Sequence, residues 1–270
     1  MINIVIKIIN HFKGIFLDHK LLIEFSKKDF ARKFAGSYFG KTWALLQPFL
    51  TMLIYWAVFQ FGFKSGKVED VPFVLWFMSG IIPWFFISDA YSSASNCFIE
   101  YGYLVKKVVF NIDILPLVKI FSSLYIHGFF VILVSAVLAC FGYYPSLFYL
   151  QLIYYMICAI VLVYAMSLIT SSIMVFFRDM GQVISITLLI GMWGTPIAWQ
   201  LNVLPKSWHF FLKLNPLFYI VQGYRESFIY GVPFWKHWLL TIYFWFIIII
   251  LLGIGVYVYK RLYKSFADVL

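Results

Sequence analysis

Apolar runs recur along the chain, each closed by a short polar or charged stretch. A bilayer crossing needs about 20 consecutive apolar residues. Six stretches meet that length: about Trp43–Phe63, Pro72–Ala94, Ile114–Phe141, Leu147–Phe177, Val183–Trp199 and Phe234–Tyr259. The fifth only just qualifies, whereas the third, fourth and sixth exceed the need and should tilt or protrude. Pro83 and Pro196 fall inside the second and fifth stretches and predict a kink or break there, tolerable where neighbours or water satisfy the freed carbonyls. The pattern predicts an all-α membrane protein, a single transmembrane domain over residues 1–270 with six helices, preceded by cytoplasmic or interfacial helices over 1–42.

The start of the chain carries a different period. At 100° per residue, Asn3, Lys7, Asn10, His11, Gly14 and Asp18 share one arc. Ile4, Val5, Ile8, Ile9, Phe12, Ile15 and Phe16 lie opposite, with Lys13 near the apolar edge. Such a helix lies in the inner membrane interface or packs on the protein itself. Two connections also depart from ordinary loops. Residues 98–113, "FIEYGYLVKKVVFNID", mix aromatics with charges and suit a short surface helix. Residues 201–232 are too polar to span and too aromatic for a solvated loop. Two short amphipathic helices meeting at Asn215-Pro216 fit them better, because Pro216 biases Asn215 away from helix. We read an external re-entrant hairpin, which requires protein or a wet cavity against its broken backbone.

Composition narrows the class. The chain is 63% hydrophobic and 12% charged, about half the charged share of a soluble domain. The net charge of +10 needs no nucleic acid, because topology accounts for it. Lys and Arg gather before the first span, between spans two and three (Lys106, Lys107, Lys119), at Arg178 and after span six (Lys260, Arg261, Lys264). The opposite side holds fewer, which places both termini in the cytoplasm. No cleavable signal peptide is expected from the opening residues.

Candidate chemistry is sparse. The stretch Gly36-Ser-Tyr-Phe-Gly-Lys-Thr-Trp43 ends like a nucleotide-binding P-loop, but only three residues separate its glycines, and it precedes a membrane span rather than following a strand. A P-loop needs four residues there so that backbone N–H groups wrap the phosphates. Instead, Gly36 and Gly40 make an elbow into the bilayer. Cys97, Cys140 and Cys158 have no metal or redox spacing, and no pair of histidines has ligand spacing. His127 is expected as a buried polar contact, and Asp89 as a partner for a basic group or the lining of a wet cavity. No convergent catalytic set emerges. Aromatic residues recur in spans one, two and five, where interfacial belts, packing and a sugar-stacking channel compete as explanations.

Three motifs, in order along the chain, carry a family resemblance. "KKDFARKFAGSYFGKTWALLQP" is similar to a basic Gly-Ser-x-x-Gly-x-x-Trp-x-x-x-x-Pro lead into span one, although Phe39 stands where a smaller aliphatic residue is usual. "FFRDM" (176–180) resembles an Arg-Asp turn between spans four and five. "NPLFYIVQGYRESFIYG" (215–231) resembles an external re-entrant segment. Together they resemble the transmembrane subunit of a type-2 ABC exporter of lipid-linked polysaccharide. "YWAVFQFGFKSG", "VPFVLWFMSGIIPWFFI" and "SFADVL" look most like wall teichoic acid exporters, and O-antigen and capsule exporters share the architecture. A drug exporter of the same fold and a membrane enzyme acting on lipid-linked sugars are the competing readings.

The resemblance implies a homodimer in a bacterial cytoplasmic membrane, working with two separate ATPase subunits. No cofactor is expected on this chain, ATP and Mg being held by the partner, and the chain itself hydrolyses nothing. Glu100, Tyr101, Leu104, Lys106, Lys107 and Phe110 are the expected coupling contacts. Arg32, Lys33, Lys41 and Arg178 are expected to attract the charged head of the lipid-linked substrate. Spans one and five would line the polymer path, with Tyr55, Trp56, Phe59, Trp193 and Trp199 as channel candidates. Asn215, Pro216, Arg225 and Glu226 mark the external segment that would shape the exit.

Overall fold

A computed structural model describes residues 19–33, 40, 42–62, 66–106 and 112–270. The predicted amphipathic N-terminal helix, the glycine elbow apart from Gly40, and Lys41, Lys107 and Phe110 lie outside the described residues. The first described helix, α1, spans His19–Lys33. Leu22, Ser26 and Asp29 fall on one stripe at helical spacing and are its buried residues. Then comes α2 (Thr42–Ala57), which widens into a π turn at Val58–Gly62.

A two-stranded hairpin follows, β1 (Lys67–Val68) with β2 (Val71–Pro72), Val68 opposite Val71. Glu69 and Asp70 both take positive φ, 48° and 67°. That is the two-residue turn whose twist matches the flanking strands. Pro72 caps α3 (Phe73–Ser95), which runs through Pro83 without a break. Two short helices, α4 (Cys97–Glu100) and α5 (Gly102–Val105), occupy the start of the predicted 98–113 segment.

The long helices α6 (Leu115–Cys140), α7 (Gln151–Met174) and α11 (Trp238–Leu262) build the rest of the bundle. Helix α3 is its centre, flanked by α6, α7 and α10, with α11 laid along α7. Its apolar window is 78% buried, against 6% for that of α2, so α3 is a core helix and α2 has little partner among the described residues. Gly255 lets α11 approach α7 closely, since a Cβ there would lie 3.1 Å from the Ala165 carbonyl oxygen. Small residues serve this way where lipid supplies no hydrophobic drive between helices.

Among the described residues, five helical stretches are long and apolar enough to cross a membrane: Leu45–Gly62, Phe73–Ser95, Ile112–Cys140, Leu147–Met174 and Phe234–Ser265. They overlap five of the six predicted spans. The predicted fifth span is a shorter helix, α8 (Met180–Gly194), of 15 residues. At 1.5 Å per residue it reaches about 22 Å, short of a hydrocarbon core of about 30 Å. The cause is local. Pro196 pushes the preceding residue towards extended backbone, and Thr195, at φ −111° and ψ 137°, ends the helix.

Beyond it, α9 (Lys206–Lys213) and α10 (Pro216–Arg225) meet at Asn215. The Asn215 carboxamide accepts the Leu217 N–H at 3.0 Å, and Pro216 occupies the first helical turn. This is a capped start with proline where no N–H is needed. Helix α10 continues as a π turn, Glu226–Tyr230, stopped by Gly231 in the left-handed region. Helix α10 is buried against α3 and α7, whereas α9 has no buried residue. Finally, α12 (Phe266–Val269) folds back so that Phe266 packs on Phe98 and Tyr259.

Candidate functional site

The Lys/Arg-rich end of the bundle carries a network of paired charges. Asp29 of α1 is buried, and its Oδ1 accepts from the Tyr101 hydroxyl and from Lys119 Nζ, each at 2.6 Å. Lys119, near the start of α6, also reaches Glu100 Oε2 at 2.7 Å. The other Glu100 oxygen accepts from Arg32 of α1, whose guanidinium stands 4.7 Å over the Tyr101 ring. One residue on, Lys33 pairs with Asp89 of α3 at 2.5 Å, and Ser123 of α6 donates to the second Asp89 oxygen at 2.6 Å. Five elements are thereby tied together: α1, α3, α4, α6 and the Tyr101 turn between α4 and α5.

Burial, and then the bond to Asp29, push the Tyr101 phenol up, so it remains a donor at neutral pH. A lysine near the start of an apolar helix is costly unless paired. Here Lys119 has two carboxylate partners, which is why it is tolerated at 6% exposure.

The expected coupling residues divide on this frame. Glu100 and Lys106 are exposed, and Leu104 is half-buried. Tyr101 points inward and is buried, so its contacts are with α1 and α6 of its own chain. Of the expected head-group residues, Arg32 and Lys33 sit together at the end of α1, each already holding a carboxylate. Arg178 lies exposed in the turn after α7, on a different element. The channel candidates also part company. Tyr55 and Phe59 turn towards α3 and pack on Phe77, with ring centroids 6.2 and 6.3 Å apart. Trp56 packs on Phe61 at 5.7 Å, Trp193 is exposed, and the Trp199 indole donates to the Trp193 carbonyl at 3.1 Å. Apolar side chains stay exposed on α2 and its π turn (Phe49, Leu50, Ile54 and Phe61), on α8 (Val183, Ile186, Leu189 and Trp193) and along α11 (Trp238, Leu239, Ile242 and Phe246).

At the opposite end, Arg225 organises the segment around α10. It is 1% exposed. Its guanidinium donates to the carbonyls of Pro196 and Ile197, both at 2.7 Å, and more weakly to Trp76 at 3.3 Å. It also lies 3.5 Å from the Trp76 ring centroid. Gly80 makes the space, since a Cβ there would stand 2.6 Å from Arg225 Nη2. The break that Pro196 imposes on α8 therefore frees carbonyls that Arg225 satisfies, so these buried backbone groups are not left unpaired. Burial pushes the guanidinium down to about 9, still cationic at neutral pH. Asn215 adds a second tie, its Nδ2 donating to Thr195 Oγ1 at 2.9 Å.

Glu226 accepts from Gln222 and from His237, each at 3.1 Å, on the wall of a cavity of about 250 Å³. Sequence reasoning found Arg225, Glu226, Asn215 and Pro216, counted Trp76 only among the recurring aromatics of span two, and missed Asp29 and Gly80. Lys119 carried a signal, as a charge at the edge of a span, but nothing in the sequence names its partner 90 positions away. No cluster of metal-ligand type occurs among the described residues.

Comparison with known proteins bears on this arrangement. The profile of the ABC-2 type transporter family matches residues 21–229. An O-antigen export system permease protein RfbA from Klebsiella pneumoniae is 26% identical over 255 residues, covering 93% of this chain and 95% of that protein. A Myxococcus xanthus RfbA with the same description is 23% identical over 77% of this chain and 80% of its own length. The polysialic acid transport protein KpsM of Escherichia coli is 26% identical, covering 74% of this chain and 78% of its own.

Proposed function

The chain belongs to the ABC-2 type transporter family, and we propose that it is the permease subunit of an exporter of lipid-linked polysaccharide of the O-antigen or capsule kind. The observation that carries this reading is the near full-length similarity to O-antigen export permeases. The wall teichoic acid cargo expected from short stretches of sequence is a narrower version, and the relatives' descriptions favour the O-antigen class over it.

In this reading the permease is passive without nucleotide, and ATP and Mg act on two partner ATPase subunits. Two copies of the chain join through the open faces of α2 and α8, which supports a polymer path at that interface. The network around Asp29 and Tyr101 receives the partner's motion. Glu100, Leu104 and Lys106 touch the ATPase, while Tyr101 passes the displacement to α1 and α6. Arg32 and Lys33 stand where a phosphate-bearing head would approach from the inner leaflet. The Arg225 cluster holds the outer exit in shape. The Lys/Arg distribution supports a cytoplasmic-membrane protein with both termini inside. Alternating access then needs differential binding of the two states, supplied by ATP on the partner.

The test is co-purification with the ATPase from the same source, followed by hydrolysis assays in lipid. Stimulation by lipid-linked polysaccharide is expected. Hydrolysis indifferent to the polymer would refute the cargo, and turnover of lipid-linked sugars by the isolated chain would refute the transport reading.

A further inference from the structure

The segment over residues 98–113 is tied to the end of α11 at both of its own ends. Phe98, in α4, is buried and stacks on Tyr259 of α11, ring centroids 5.8 Å apart. At the other end, Asp113 lies in the turn Ile112–Ile114 that leads into α6, and it accepts a hydrogen bond from the Tyr259 hydroxyl. Phe266 of α12 closes the cluster, 5.2 Å from Phe98, 6.1 Å from Tyr259 and 6.0 Å from Phe176 in the turn after α7. One side chain of α11 therefore holds both ends of the segment.

Packing alone does not call for that hydroxyl. Phe244, Ile248, Leu252, Val256 and Tyr259 form one buried stripe at helical spacing, and phenylalanine would fill its last place equally well. The hydroxyl adds a bond to a carboxylate, stronger than a bond between neutral groups, across 146 positions of sequence.

Helix α11 then runs 25 residues without a proline, about 38 Å, to a second set of ties. Thr241 Oγ1 lies 2.8 Å from the Tyr219 hydroxyl of α10, and the Phe244 ring lies 4.9 Å from that of Tyr219. The Tyr243 hydroxyl donates to the Leu214 carbonyl at 2.7 Å, and His237, just before α11, reaches Glu226 at 3.1 Å. Helix α3 also joins the two ends of the bundle, but it is enclosed by its neighbours. Among the described residues α11 is packed along one stripe, with Trp238, Leu239, Ile242 and Phe246 exposed, so it has a single face on which to slide.

We propose that Tyr259 is a positioning residue for the ATP-driven step: it fixes the 98–113 segment to α11, and α11 carries the displacement of that segment to α10 at the opposite end of the bundle. This rests on the assignment of Glu100, Leu104 and Lys106 to the ATPase contact, and it adds to the Tyr101 route into α1 and α6 a route along a different helix.

The test uses the full chain with its ATPase in nanodiscs. Tyr259→Phe keeps the rings and removes the bond. It should leave ATPase co-purification and basal hydrolysis unchanged, and cut stimulation by lipid-linked polysaccharide about tenfold. Asp113→Asn should do the same, with the double variant no worse than either single one. A role in packing alone would leave the stimulation intact. Spin labels in a Cys140→Ser chain, diluted with unlabelled chain, follow the motion without any variant of the link. The distance from exposed Ile99 of α4 to exposed Tyr257 of α11 should stay constant between nucleotide-free and ATP-trapped complexes. That from Tyr257 to exposed Ile157 of α7 should change. Full stimulation in Tyr259→Phe, a first distance that changes, or a second that does not, would overturn the proposal. Hydrolysis by the wild type that ignores the polymer would refute the cargo instead, and the two distances would still decide whether segment and helix move together.

Discussion

Arg225 is the sharpest place to perturb the fold. Arg225→Met keeps much of the volume and removes the guanidinium. Two carbonyls, of Pro196 and Ile197, then lose donors at 2.7 Å, and the Trp76 ring loses a cation at 3.5 Å. Each buried group left unsatisfied costs about 1–3 kcal/mol, and a desolvated cation–π contact is worth about 2 kcal/mol. Relief of the buried charge offsets part of this. A net loss of about 3–5 kcal/mol is expected. That is enough to lower the midpoint in a thermal-shift assay of the detergent-purified protein by on the order of 10 °C. Gly80→Ala attacks the same contact from the other side, because its Cβ would stand 2.6 Å from Arg225 Nη2. Alanine should therefore destabilise the wild type strongly and the Arg225→Met background by little, a coupling of about 1–3 kcal/mol in a double-mutant cycle. A melting point unchanged in Arg225→Met, or strictly additive substitutions, would refute the claim that Arg225 satisfies the broken end of α8.

Further predictions concern other links. Asp29→Asn should cost about 3–5 kcal/mol, since it strips Lys119 of its most buried partner, and should loosen the ratio of transport to ATP hydrolysis; an intact ratio would argue against a transmitting role. Lys106→Glu, at an exposed position, should weaken ATPase co-purification with little change in melting point, whereas Tyr101→Phe should leave docking intact and lower coupling. Asn215→Ala should cost about 1 kcal/mol through loss of the helix cap, read as a small shift in the same melt. Gly255→Leu should separate α11 from α7 and destabilise the chain in detergent, while Gly66→Ala, where a Cβ meets nothing within 4 Å, should be silent.

Helix positions were legible because runs of apolar residues are strong signals, and the five long stretches overlap five predicted spans. The Asn215-Pro216 junction and the break at Pro196 were legible because proline disfavours helix at the residue before it, although Pro83 lies inside α3 without breaking it. The inward faces were not. Lipid tails are as apolar as a protein core, so the same run describes α3, mostly buried, and α2, mostly open. The aromatic character of residues 98–106 was visible, yet it could not tell that Tyr101 turns inward to Asp29 while Tyr103 stays exposed. The site pairings were hidden for a second reason. Arg225 meets carbonyls 28 and 29 residues away, and Lys119 meets Asp29 across 90. A residue type announces that a buried charge needs partners, and only the packing of helices decides which groups supply them.

The most direct test of transport is made in proteoliposomes holding the chain and its ATPase, with lipid-linked polysaccharide in the leaflet on the ATPase side. Polymer protected from an added glycosidase should appear in the opposite compartment with ATP and magnesium, and not with a non-hydrolysable analogue. Polymer that stays on the side of origin while ATP is consumed would contradict the account.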